Sequence, residues 1–359
     1  MSPATLDGWS HSETGMSIRT FTLGLFFAAF TLQSLAQQAV ETSAAGGRTT
    51  ILNVVVSSQT REPVPGLTPS DFRLLDNKLQ RPIISVKQVE AKQEPMSALI
   101  VIDAVNIGYT RVAFVRNQVT KFLRSNEGHL AQPTSIVILT DKGAQVQRGL
   151  STDGNALDVG LGEAEIGLRE IRRSSGIWGA DERFGMSLTA LKQLIAYGGT
   201  LPGRKLVLWI SPGWPLLTGP RIDLSNRQQQ QVFDDVVALK RDMRRSNVTL
   251  YSVNPLGPEE DLARAGYYQS FLKGINSSSQ ADIADLSLQV LSVQSGGLVL
   301  NSSDVTGNSS QCLADGRSWY ELRFETSEAE HPNEYHSIEV QTDKPGIVAR
   351  TWTGYYAQP

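Results

Sequence analysis

Four apolar runs alternate with stretches of helical period through the middle of the chain, and this alternation limits the fold more than any other feature. Residues 98–102 (ALIVI), 135–140 (SIVILT), 205–210 (KLVLWI) and 248–253 (VTLYSV) read as strands with little or no polar face. Such runs arise where both faces of a sheet are covered. Between the first two, residues 111–124 carry Val112, Val115, Val119, Phe122 and Leu123 at helical spacing. Further helices are expected over 184–197, 228–245 and 281–293, and a short last strand over 297–300. Alternation at this spacing predicts an α/β domain with a doubly wound, mostly parallel sheet and right-handed crossovers.

On both sides of this region the period falls to two. Residues 49–58 (TTILNVVVSS), 72–75 and 83–89 read as strands before it, and 319–325, 335–341 and 347–353 after it. Three short strands per flank struggle to bury a core alone. The flanks are therefore expected to pair into one β-sandwich with the α/β domain inserted between them. The expected organisation is an N-terminal β segment at 49–92, the α/β domain at 96–301 and a C-terminal β segment at 317–357. The polar stretch 301–310 is read as a connection, and the glutamine run 228–231 as a solvated helix face.

From Met16 the chain reads MSIRTFTLGLFFAAFTLQSLAQQ. One cation, Arg19, precedes an apolar run at 21–32, and Ser34-Leu35-Ala36 supplies small residues at −3 and −1. This is a signal-peptide pattern over 1–36, starting at Met16 and cut before Gln37. The run is shorter than the roughly 20 apolar residues of a spanning helix. The expected product is exported, periplasmic or extracellular, and not membrane-spanning after cleavage. With one cysteine, Cys312, it forms no internal disulfide; Cys312 is read as an incidental residue in a polar loop. A net charge of −3 without a basic stripe argues against a nucleic-acid partner.

Four stretches carry a resemblance to a known family: PVPGLTPSDFRLLDN, ALIVIDAVNIGYTRVAFVRNQVTKFL, LPGRKLVLWISPGWP and WYELRFETSEAEHPNEYHSIEVQTDKPGIVARTWTGYYA. Together they resemble the bacterial von Willebrand factor A-related proteins of acidobacterial type, over nearly all of residues 49–358. The Pro-Gly-Arg-Lys turn at 202–205, entering a Leu/Trp-rich strand, is the most specific part of the match.

The resemblance implies a fold and a place to look for a site. Type A domains of adhesins hold Mg²⁺ at the carboxyl end of the first strand. They use an Asp-x-Ser-x-Ser turn, a threonine from a second loop and an Asp at the end of a later strand. Here Asp103 matches the first ligand, but Val105 and Ile107 stand in the two serine positions and Ser211 where the later Asp belongs. The threonine loop falls within 174–183. One carboxylate and one hydroxyl make a poor cage for an octahedral oxygen-seeking ion, so no metal and no cofactor are expected. Asp103 then caps the following helix or bonds loop amides, and Asn106 is either a turn former or a polar contact to a partner.

Trp209 reads as core because it lies inside a buried strand. Trp214 lies on the loop after that strand, at the edge where ligands bind in open α/β sheets. It is either an interface anchor or the filler of an ion's pocket. Asp103, Asn106, Ser211 and Trp214 are therefore the candidate binding residues. Asp141, Asp153 and Asp181 are read as solvated carboxylates on the same rim. His331 and His336 fit no zinc spacing and are read as exposed. Ser211 is followed by Pro212, which lacks the N–H that a nucleophile elbow needs. The expected function is an exported, non-catalytic protein-interaction module with a degenerate metal-ion-dependent adhesion site, contacting a protein or cell-envelope ligand. The alternatives are a hydrolase with an unrecognised site and a structural cell-envelope protein.

Overall fold

The computed structural model describes residues 49–164, 176–215, 223–257 and 266–359. The expected signal peptide at 1–36 lies outside the described residues.

The N-terminal flank forms β1 (Thr49–Ser58), β2 (Phe72–Asp76), β3 (Leu79–Arg81) and β4 (Ile83–Glu90). The middle region forms β5 (Met96–Asp103), α1 (Tyr109–Leu123), β6 (His129–Thr140), β7 (Gly143–Asp153), α2 (Gly154–Glu163) and α3 (Gly176–Thr200). It continues with β8 (Arg204–Ile210), α4 (Asn226–Arg245), β9 (Val248–Asn254), α5 (Leu288–Gln294), β10 (Val299–Asn301) and α6 (Val305–Ala314). The C-terminal flank forms β11 (Ser318–Glu325), β12 (Glu334–Thr342), β13 (Ile347–Arg350) and β14 (Gly354–Ala357).

The central sheet has the order β10-β9-β8-β5-β6-β7, parallel except for β7 at one edge. Alternate residues serve opposite faces. Ile100, Ile102, Leu206 and Leu208 pack under α1, α2 and α6, whereas Leu99, Val101, Val207 and Trp209 pack under α3, α4 and α5. Burial on both faces explains the unbroken apolar runs. Helix α4 starts where Ser225 and Gln228 close a reciprocal cap, Ser225 Oγ accepting from the Gln228 N–H and Gln228 Oε1 from the Ser225 N–H.

The flanks interleave. One sheet has the order β13-β1-β11-β4 and the other β14-β12-β2-β3. They share one core, with Leu52, Val54, Leu322 and Phe324 from the first facing Phe72, Leu74, Ile338 and Val340 from the second. This is the single sandwich expected from the flanks. It docks on the amino edge of the central sheet through largely buried polar groups. Arg350 binds Asp315, Tyr251 donates to the same carboxylate at 2.8 Å, and Arg204 donates to the Asp315 carbonyl at 3.1 Å while lying over the Trp319 ring. Lys240 of α4 meets the rings of Tyr335 and Tyr356, with Nζ 4.7 and 5.3 Å from their centroids.

Several elements differ from expectation. The helix at 281–293 is a 3₁₀ turn (Ile283–Leu286) followed by α5, because Ser287 between them is extended; serine competes poorly inside helices and favours caps. The polar stretch 301–310 holds the start of α6, whose N-terminus Asp304 caps through the Gly307 N–H at 2.8 Å. Cys312 is therefore a fully buried helix residue rather than a loop residue, and burial pushes its thiol pKa well up. The expected strand at 347–353 ends at Arg350 as β13, paired with β1, and a further strand, β14, follows from Gly354 and pairs with β12 where the chain crosses between sheets. Strand β7 and helix α2 add to the elements expected from the sequence.

Candidate functional site

The first strand of the central sheet, β5, lies between β6 and β8, and the chain turns to opposite sides after each. The carboxyl ends of β5 and β8 thus flank the topological switch point, where open α/β sheets place their ligands. Asp103 ends β5 and Ser211 follows β8, so both candidate residues lie at this edge.

Asp103 is 0% exposed and its carboxylate is ringed by donors. Oδ1 accepts from the N–H groups of Val105 at 3.1 Å and Asn106 at 3.0 Å. Oδ2 accepts from Asn106 Nδ2 and from the indole Nε1 of Trp209, both at 2.8 Å. Burial raises the carboxyl's pKa, against the opposing pull of the Asn106, Trp209 and Ser211 hydrogen bonds. Asp103 does not cap α1, whose N-cap is Gly108 with no side-chain hydrogen bond; it bonds the loop amides.

Asn106 uses both amide hydrogens. One goes to Asp103 and the other to Ser187 Oγ at 2.8 Å, and Ser187 in turn donates to the Arg183 carbonyl at 2.8 Å. The turn after β5 is thereby tied to α3. Ser211 is fully buried; its Oγ accepts from the Gly213 N–H at 3.2 Å.

These groups do not fit Mg²⁺. The ion needs oxygen lone pairs at about 2.1 Å in octahedral array, and here N–H groups already point at both carboxylate oxygens. Val105 and Ile107 are buried aliphatic side chains in the core. Among the described residues no group of three or more His, Cys, Asp or Glu is placed to hold a metal.

Trp214 is not an exposed anchor. It is 1% exposed and packs edge-on against Trp209, with centroids 5.3 Å apart, and against Phe184 at 6.3 Å. The loop after β8 turns inward, and its apolar ring fills the crevice. The exposed aromatic is Trp178, 78% accessible near the start of α3. It lies nine residues before Ser187, which is about 13 Å along the helix and half a turn out of phase. Its ring therefore points away from the face that Ser187 buries.

Two other readings are corrected. Asp153 is not on this rim: it pairs with His129 at the opposite end of the sheet and caps α2 through the Ala156 N–H. His336 is buried rather than exposed, inside the sandwich. Its Nδ1 lies 2.9 Å from Asp76 Oδ1, and Asp76 Oδ2 also accepts from Ser327 at 2.8 Å and Tyr355 at 3.1 Å. The ring stacks on Tyr355.

Sequence reasoning missed Trp209 and Ser187 as site residues, although both carried a signal. Trp209 stands two residues before Ser211 and so shares its face of the strand. Ser187 stands three and four residues before Ala190 and Leu191, on the buried stripe of α3.

No protein-family model and no curated protein matches the sequence. Solved structures similar to it include proximal thread matrix protein 1 from the mussel byssus, at 11% identity over 67% of this chain and 51% of that one, with a TM-score of 0.36. This chain thus spans about half the length of the mussel protein. Another is the conserved hypothetical protein BatB from Bacteroides thetaiotaomicron, at 9% identity over 62% and 98%, with a TM-score of 0.34. A third is a von Willebrand factor type A protein from Catenulispora acidiphila, at 10% identity over 88% and 75%, with a TM-score of 0.28. At these scores the fold class rests on the strand order and not on the neighbours. That order gives a doubly wound α/β fold, a mostly parallel central sheet wound on both sides of its first strand and flanked by antiparallel sheets.

Proposed function

We propose that this chain is an exported, non-catalytic protein-interaction module. It contacts a protein or cell-envelope ligand through the carboxyl edge of its central sheet, at an adhesion site that has lost its metal. The observation that carries this reading is the exposure of Trp178 near the start of α3, the helix that Ser187 ties to the turn after β5. Large aromatic side chains are enriched among the residues that dominate binding energy, where a partner desolvates them. The chemistry of the edge supports a non-catalytic role, since Asp103 is sealed beneath donors and Ser211 is fully buried. Export is supported by the leader pattern before Gln37. No helix among the described residues is long and apolar enough to cross a membrane.

Affinity capture from the native cell envelope tests the reading. Wild-type protein should retain a partner that Trp178→Ala does not, with both proteins equally folded. Equal recovery by the two overturns it. Fractionation should find a shortened product outside the cytoplasm, and a full-length cytoplasmic product overturns export.

A further inference from the structure

We propose that the Trp209 indole and the Asn106 amide have taken the place of an ion at the switch point, so that the carboxyl edge keeps one arrangement whatever divalent cation surrounds it. The inference rests on the reading of that edge as the contact surface and specifies its regulation.

The two donors come from separate parts of the chain, β8 and the turn after β5, and converge on one oxygen, Asp103 Oδ2, at 2.8 Å each. They join the two strands that border the crevice, as a shared ligand would. The two backbone N–H groups fill Oδ1. Trp209 cannot swing aside freely, because Trp214 packs edge-on against its ring and the strand fixes Trp209 opposite Val101. Asn106 is held from its other side by Ser187. Unlike an ion, these donors do not exchange with solvent and do not respond to a chelator. They also carry no net charge, so a partner's carboxylate finds no cation to bridge to Asp103. The anchor that suits an edge without a cation is therefore an apolar or aromatic group rather than a carboxylate.

Manganese alone serves as the probe. In a ¹⁵N-correlated spectrum the indole N–H signal of Trp209, assigned by its loss in Trp209→Phe, should persist in millimolar Mn²⁺. Its intensity should match that of the indole signals of Trp319 and Trp352. Selective bleaching of the Trp209 signal places the ion at Asp103 and overturns the inference. A second measurement does not depend on Trp209→Phe folding. The wild-type melting temperature should be the same in EDTA and in Mn²⁺, and Asp103→Asn should lower it by several degrees in both, because an amide NH₂ would face the existing donors. A Mn²⁺-dependent rise lost in Asp103→Asn, or an Asp103→Asn protein as stable as wild type, overturns it. These outcomes are separable from the capture experiment. An ion at Asp103 leaves Trp178-dependent capture standing, and capture indifferent to Trp178 leaves the donor cage standing.

Discussion

Arg350 places Nη2 2.7 Å from both carboxylate oxygens of Asp315, joining the last part of the sandwich to the end of α6. Burial by itself would pull the guanidinium pKa down; Asp315 and Tyr251 outweigh it, and the net direction is up. Removing one member of a largely buried pair leaves the other charge uncompensated. Arg350→Met should therefore destabilise the protein by about 3–5 kcal/mol in urea unfolding. Adding Asp315→Leu should restore a substantial part. A loss below about 1 kcal/mol for the single variant would mean that the pair behaves as a surface contact.

Gly203 explains the Pro-Gly-Arg-Lys turn. Its φ is +68°, and a Cβ there would lie 1.8 Å from the Pro95 carbonyl oxygen, which also accepts the Arg204 N–H. Gly66 has a similar φ of +76° with nothing near its missing side chain. Gly66→Ala should show only the dihedral strain, about 1–3 kcal/mol. Gly203→Ala should lose clearly more, because backbone must move. Equal thermal shifts for the two would refute the steric account.

Lys240 gives the fold a pH dependence. Burial pushes its pKa down to about 7, against the pull of Asp285, and burial pushes Asp285 up to about 6. For Lys240 the native state binds fewer protons than the unfolded chain between pH 7 and 10.5, so stability rises with pH there. For Asp285 the native state binds more protons between 3.8 and 6, so stability falls as pH rises through that range. At roughly 1.4 kcal/mol for each pH unit between the folded and unfolded values, the lysine's full effect is several kcal/mol. Wild type should gain stability from pH 7 to 9.5, and Lys240→Met should lose that slope. Parallel profiles for the two proteins would exclude Lys240 as the source.

The two tryptophans near the carboxyl edge should behave oppositely. Trp214→Ala removes a buried ring and should lower stability by about 3–5 kcal/mol. Trp178→Ala should change it by no more than about 0.5 kcal/mol. Differential scanning calorimetry of both variants decides, and a large loss from Trp178→Ala would show that its ring packs on the protein.

The apolar runs at 98–102 and 205–210 announced the central sheet because burial on both faces leaves no polar alternation to confuse. Strand β7 escaped notice because it is an antiparallel edge with polar residues such as Gln145 throughout. Helix α6 lacks a clean apolar stripe because the polar Asn308 and Ser309 share its buried side with Val305, Cys312 and Leu313. At the site, Asp103 was visible as a strand-end acid. Its partners were not, since Trp209 comes from 106 residues away and Asn106 reaches Ser187 across 81. Trp214 stayed open between anchor and filler because a loop position alone does not fix burial; its ring packs inward on Trp209 and Phe184.

The interleaving of the two flanks sets an order of events for a newly made chain. Strand β11 slots between β1 and β4, and β12 completes the sheet begun by β2 and β3. The first four strands emerge from the ribosome long before their partners exist, and until residues 318–357 follow they present unsatisfied edges to any other chain. Premature release is a hazard written into this topology.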